Sequence, residues 1–329
     1  MSKQARIILV LAALLAAAIL ASLLTGRYPI PLSALWQRIV YGSFPKPQME
    51  AVFFTVRLPR VLMAILAGAA LAAAGASFQG VFQNPLASPD MLGASSGAAT
   101  GAALAILLRL PSILVTASAF AMSLITIAVV MLLGEKVRSK KIIALVLAGL
   151  MISSMHNAAV SWMKLIADTH NTLPEIVFWL MGSLAKVRPV EIKFTIIPMI
   201  AGLVMLFICR WKINHLTFSD DEARSMGVNV KSTRALVIVS STLITAAAVS
   251  VCGIIGWAGL VVPHICRKLT GNNYLTLMPS SMIAGALFLL VIDNISRNLF
   301  SAEIPLGILT SLFGAPFFLW LVTRKGDIW

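Results

Sequence analysis

A few groups of residues in this 329-residue chain have the types and spacing that could do chemistry. Gly93-Ala94-Ser95-Ser96-Gly97 matches the GxSxG pattern of a serine nucleophile. A nucleophile elbow needs a strand-to-helix turn with histidine and acid partners, whereas this match opens a long apolar run, so it reads as a small-residue helix start. His156, His170, His215 and His264 show no HExxH or other ligand spacing. His264 and Cys266 are two residues apart and would point to different faces of a helix; a structural hydrogen bond is expected for His264, and no metal site is expected. Cys209, Cys252 and Cys266 lack any paired spacing and read as small buried hydrophobes. Asp293 stands four residues before Arg297, which permits an i,i+4 pair on one helix face. Two readings stay open for it: a neutralised pair that orients Arg297, or a proton relay. Asp220, Asp221 and Glu222 precede Arg224 and Gly227, a pattern suited to a short exposed helix with acids in its first turn and glycine near its end. Such a helix looks like a docking element. No GxxxxGK[ST] phosphate loop occurs, so the chain is not expected to bind ATP in the P-loop manner, and no catalytic constellation is found.

The elements that must position these groups are read from composition. Apolar side chains make up 59% of the chain, charged ones 12%, and the mean hydropathy is +0.93. Soluble domains have roughly 45 to 50% apolar and 25% charged residues, which excludes a secreted scaffold, a disordered regulator or an ordinary soluble enzyme. Apolar runs occur at about 7–24, 59–81, 93–109, 112–134, 142–163, 194–211, 232–251, 253–267, 277–297 and 304–323. At roughly 20 residues per span, these predict an all-α polytopic membrane protein of about ten transmembrane helices. The first run exceeds a signal-peptide core and reads as a retained span. A net charge of +14 would suggest nucleic acid in a soluble chain, but the lysines and arginines lie mostly at run ends, as topology signals and headgroup anchors. With the N-terminus cytoplasmic, 15 of the 26 cations fall inside. The cluster EKVRSKK, Glu135 to Lys141, is a short-loop signal of the same sense. Both termini are therefore expected to be cytoplasmic. External segments are expected at about 26–57 and 164–193, the latter holding an interfacial or re-entrant helix within LPEIVFWLMGSLAK, and a cytoplasmic segment at about 212–232. The whole chain, 1–329, reads as one transmembrane domain.

Four stretches, taken together and in order, resemble the FecCD family of importer permeases driven by ATP-binding-cassette (ABC) subunits: RLPRVLMAILAGAALAAAGASFQGVFQNPLASPDMLGASSGA from Arg57, SDDEARSMGV from Ser219, GIIGWAGLVVPHICR from Gly253 and EIPLGILTSLFGAPFFLWL from Glu303. The family imports iron-siderophores, haem, cobalamin and some oxyanions. The resemblance implies a type II importer permease fold in the cytoplasmic membrane of a prokaryote, with no cofactor in this chain. A second permease subunit (a homodimer being the simplest case), two cytoplasmic ATPases that bind ATP and Mg, an external substrate-binding protein and membrane lipid are the implied partners.

Residue by residue, the resemblance implies that Asp220, Asp221, Glu222, Arg224 and Gly227 contact the ATPase. Here Glu222 stands where the family often has a second alanine. It implies a cytoplasmic gate near Asn84 and Leu86; the small hydroxyl residues that some relatives carry near positions 141–143 are absent. It implies that Arg57, Arg60 and Arg297 meet acids of the binding protein, with headgroup anchoring as the alternative, and that a triple Arg→Glu variant would fold yet lose its partner. Trp257 and Ala258 replace the more usual Phe followed by Val or Ile, and the glycine-rich start with Pro263 suggests a broken helix. An ion-gradient-driven secondary transporter is the competing reading. The substrate is not legible.

Overall fold

The computed structural model describes residues 2–136, 141–300 and 302–323. Among them there is no strand, and each predicted run contains a helix. In chain order these are α1 (Lys3–Leu24), α2 (Leu32–Tyr41), α3 (Pro47–Ala51), α4 (Leu58–Val81), α5 (Ala94–Leu107), α6 (Ser112–Lys136), α7 (Lys141–Ile166), α8 (Thr172–Leu180), α9 (Pro189–Leu216), α10 (Asp220–Ser225), α11 (Val230–Cys252), α12 (Ala258–Thr270), α13 (Tyr274–Asn298) and α14 (Leu306–Thr323). Seven helical stretches are long and apolar enough to cross a membrane: α1, Pro47–Val81, α6, α7, α9, α11 and α13. The runs at 93–109, 253–267 and 304–323 form the shorter helices α5, α12 and α14. The charged cluster at Glu135–Lys141 and the C-terminal cations Arg324 and Lys325 lie wholly or mostly outside the described residues.

α4 is the axis of the packing, with 78% of its most apolar window buried. Its sequence explains this, because small residues let backbones approach in an environment where water cannot drive helices together. A Cβ added at Gly75 would lie 1.7 Å from the Gly259 carbonyl oxygen of α12, and one at Gly68 would lie 2.2 Å from that of Gly285 on α13. Gly75→Ala therefore forces two backbones apart. It is expected to cost about 1–3 kcal/mol and to lower the midpoint of thermal aggregation in detergent, measured by gel filtration after heating.

The segment expected to lie outside the membrane before α4 is largely helical. Residues 26–57 contain α2, α3 and a π-helical turn at Val52–Arg57, so that one helical stretch runs from Pro47 to Val81 through Pro59. The Leu58 N–H bonds back to the Phe53 carbonyl, and this wider turn makes room for a proline ring that an ordinary helical turn would push against the preceding carbonyl. Pro263 likewise sits inside α12 without breaking it; the break expected in that region falls at 253–257.

Connections gather at two ends. One end holds residues 25–57, α8 with its flanks and the turn after α13, since Arg57 bonds to the end of α1 and Leu306 N–H to the Gly182 carbonyl at 2.8 Å. The opposite end holds the turn after α4 and the α9–α11 connection, joined when the Gln83 amide donates to the carbonyls of Leu216 and Phe218 at 3.0 and 2.7 Å.

Candidate functional site

The three arginines Arg57, Arg60 and Arg297 come together at the α8 end, but not as free cations. Each is more than nine-tenths buried. Arg57 Nη1 donates to the carbonyls of Leu23 and Leu24 at 2.5 and 2.9 Å, and its Nη2 to that of Tyr28. Arg60 Nε bonds to Asp293 Oδ1 at 2.9 Å, and its terminal nitrogens lie 3.0 Å from both oxygens of Glu303. Arg297 Nη2 donates to the Ser22 carbonyl, the Ser22 hydroxyl and the Asn294 side chain. The expected i,i+4 pair is the looser one: Arg297 Nε lies 3.9 Å from Asp293 Oδ2. Asp293, fully buried, is thus shared between two cations, chiefly Arg60 of another helix. The geometry favours neutralisation over proton relay, because the carboxylate lies between two guanidinium groups and has no third titratable partner within 4 Å among the described residues. Direct docking by these arginines would require their internal bonds to be exchanged.

At the opposite end, Ser219 and Glu222 form a capping box: Ser219 Oγ accepts from the Glu222 N–H at 3.3 Å, and Glu222 Oε2 accepts from the Ser219 N–H at 3.0 Å. This reciprocal cap starts α10 despite its six residues. Asp220 is clamped by Arg234 of α11 at 2.8 and 3.4 Å, and buried Ala223 seats the helix below. Asp221 and Arg224 pair at 3.1 Å on the exposed face, with the Asp221 side chain 93% exposed. Gly227 ends the motif at φ +82°, where glycine is unstrained. The hydrogen bonds from Arg234 hold the Asp220 carboxyl below its ordinary range, and those from the Ser219 hydroxyl and N–H do the same for Glu222. The five coupling candidates therefore divide into scaffold (Asp220, Glu222, Gly227) and displayed surface (Asp221, Arg224).

Two cavities lie between these ends. One, of about 270 Å³, is walled by Leu86, Ser88, Asp90, Thr245 and Trp257 among others. The other, of about 700 Å³, is walled by Met181, Ile254, Gly307, Ser311 and Pro316 among others. Leu86 reaches the smaller cavity from a turn held by Asn84, whose Oδ1 accepts from the Leu86 N–H at 2.9 Å. Irregular backbone bounds the larger cavity and is satisfied internally, as membrane burial demands. Ser183 N–H bonds to the Cys252 carbonyl at 2.8 Å and Gly307 N–H to that of Met181 at 2.9 Å. No lysine or arginine lines either cavity among the described residues.

The remaining sequence candidates are structural. Gly93, at φ +81°, caps α5; Ser95 donates to Asp90, and Ser96 bonds to Gly93 and Ser153. His156 bridges the hydroxyls of Thr100 and Thr126 at 2.9 and 2.8 Å, so no serine–histidine–acid arrangement forms there. His264 is buried, and its Nε2 has no hydrogen-bond partner. The three cysteines are buried and free. No metal-competent cluster of His, Cys, Asp and Glu occurs among the described residues. Arg60, Glu303, Asn294 and Ser22 were not paired by sequence reasoning, since Arg60 and Asp293 stand 233 residues apart. The only local signal was an isolated acid in an apolar run.

Comparison with known proteins agrees with this geometry. The FecCD transport family model matches residues 14–324. The molybdate import system permease protein MolB of Haemophilus influenzae is 38% identical over 307 residues, covering 92% of this chain and 91% of that protein. A Helicobacter pylori protein described as a probable iron chelatin transport system permease is 38% identical over 282 residues, 85% of each chain. A solved structure described as an inward-facing metal-chelate type ABC transporter superposes with a TM-score of 0.87 at 38% identity, covering 96% of this chain and 98% of that one. Helices that pack around α4, a capped surface helix and a family match over residues 14–324 converge: the chain is a multi-pass ABC transporter permease, not itself an enzyme, and belongs to the FecCD transport family.

Proposed function

We propose that this permease imports a metal chelate of the iron-siderophore, haem or corrinoid class by alternating access, with ATP and Mg bound by separate ATPase subunits. The observation that carries the substrate class is the cavity lining. An oxyanion such as molybdate is held by cations or converging N–H groups, whereas these cavities offer Met181, Ile254, Trp257 and Leu86, the three hydroxyls of Ser88, Thr245 and Ser311, and the carboxylate of Asp90. A large chelate with an apolar shell suits that lining, and weak contacts allow its release.

The whole chain acts as one transmembrane unit of ten spans, with both termini cytoplasmic and the α10 end facing the ATPase across the cytoplasmic membrane. The α8 end then faces the external binding protein. Arg57, Arg60 and Arg297 shape that rim from beneath by tying α1, α4, α13 and the Glu303 turn together. Asn84 and Leu86 form part of the cytoplasmic gate. A second copy of the permease covers α7. Only 6% of the α7 window is buried, yet its exposed stripe carries Ser154, Asn157 and Ser161 among Leu150, Met151, Met155 and Trp162. Equally exposed α1 is apolar along its length. Polar side chains at membrane depth face protein or water rather than lipid.

The test is a binding panel with the cognate external protein: ferric trihydroxamate, ferric tris-catecholate, haem, cobalamin and molybdate. The expected result is submicromolar binding of one chelate and none of molybdate. Tight binding of molybdate alone would overturn the substrate class.

A further inference from the structure

The stretch Gly253–Trp257 stands between the two cavities. Ile255, Gly256 and Trp257 wall the smaller one, Ile254 and Gly256 the larger one, so at Gly256 a single backbone strand divides them. Its conformation is unusual. Trp257 has φ +67° and ψ −32°, and the Ala258 N–H bonds to the Gly256 carbonyl at 2.8 Å, closing a γ-turn centred on Trp257. That turn is rare and strained, and a bulky residue at positive φ is a true outlier that persists only where its surroundings impose it. The surroundings are visible. The next helix starts from the same residue, whose carbonyl accepts from Leu260 and Val261 at 3.0 and 2.8 Å. From α14, Gly314 makes room for the indole, since a Cβ there would lie 2.5 Å from Trp257 Cβ. The Phe318 ring lies 6.3 Å from the indole, centroid to centroid. Gly256 itself faces open space. An outlier held by an adjoining helix, at the one place where two cavities meet, is positioned to open when that helix moves.

We propose that Gly253–Trp257 is the partition across the translocation path and that the Trp257 indole, held in its left-handed turn against Gly314, is the side chain that seals it. Withdrawal of α14 frees the turn to relax to negative φ, swings the indole aside and joins the two cavities. This assignment rests on the permease reading above and adds the residue that separates the two sides.

The test uses the permease–ATPase complex in proteoliposomes loaded with radiolabelled sucrose, with no ATP present. Trp257→Ala and Trp257→Gly are expected to raise sucrose efflux at least about tenfold over the unmodified complex, while Trp257→Phe, which keeps a ring in place, stays within about twofold. Wild-type tightness in Ala and Gly variants that remain monodisperse and ATPase-bound would overturn the proposal and leave Trp257 as a space-filling residue. Should those variants not assemble, Gly256→Cys decides with Trp257 intact. A membrane-impermeant maleimide is expected to label it from one face without nucleotide and from the opposite face with ATP and vanadate. Labelling from the same face in both states, from both faces at once, or from neither would overturn the partition. The efflux assay needs no catalytic cycle, so its result stands apart from the permease reading, which fails instead if the unmodified complex shows no ATP-driven uptake of any chelate.

Discussion

Asp293→Ala is expected to abolish accumulation of folded permease in the membrane. The substitution leaves the buried guanidinium of Arg60 with only Glu303, and removes the one carboxylate within 4 Å of Arg297 among the described residues. Breaking a buried ion pair from one side costs about 3–5 kcal/mol, because the remaining charge is desolvated and uncompensated. That is a large fraction of the roughly 5–15 kcal/mol by which folded proteins are stable. Removing both members of the closest pair is milder: Arg60→Met with Asp293→Leu should recover part of the yield and thermal midpoint measured by gel filtration in detergent, with Arg297 still held by Ser22 and Asn294. The same reasoning changes what a triple Arg→Glu variant of Arg57, Arg60 and Arg297 should do. On sequence grounds it would fold and lose only its external partner. In the structure the new carboxylates would face the carbonyls of Leu23, Leu24, Tyr28 and Ser22 and the acids Asp293 and Glu303, so failure to fold is expected first. Wild-type yield and midpoint for Asp293→Ala would show that the cluster does not hold the α8 end together.

Asp221→Lys is expected to separate ATP hydrolysis from transport while leaving the permease intact. Asp221 is almost fully exposed and its internal contact is the surface pair with Arg224, a kind of bond worth little to stability. Placed against an ATPase surface that is complementary to an acid, a lysine juxtaposes like charges, which can cost several kcal/mol. At least a tenfold loss of ATPase affinity or of coupled uptake is expected, with an unchanged thermal midpoint of the isolated permease. Asp220→Lys should lose coupling and also release α10 from α11, because it opposes Arg234. The Asp220 anchor depends on pH with a definite sign. Its folded pKa lies below the unfolded value of about 3.9, so its contribution is complete above that value and is lost as pH falls through the lower folded one. Co-purification with the ATPase should therefore be insensitive to this group from neutral pH down to about pH 4. Unchanged ATPase affinity and uptake in Asp221→Lys would remove the displayed face of α10 from the interface.

What was legible in the sequence was what has a short period. Ten apolar runs became ten helices because each carries its own length and backbone satisfaction. α10 was legible from its first-turn acids and terminal glycine, which is local chemistry. The apolar stretch after residue 171 was legible as α8 because it is too short to span. Pairing across the fold was not legible. Arg60 meets Asp293 only after α4 and α13 have packed through Gly68 and Gly285, and no spacing rule reaches that far. The state of the arginines was missed for the same reason: a cation at a run end looks alike whether it meets solvent or a neighbouring carbonyl. Trp257 stood out in the sequence only as a departure from the usual phenylalanine. Its positive φ and the room that Gly314 of another helix leaves for its indole are features of the packed fold.

The measurement that tests the central claim most directly is chelate uptake by sealed vesicles containing this permease with its ATPase and binding protein. One set is energised by ATP alone and another by an imposed proton or sodium gradient alone. The ABC permease account predicts uptake that follows ATP, stops with Asp221→Lys and ignores the gradient. Uptake that followed the gradient without ATP would contradict it.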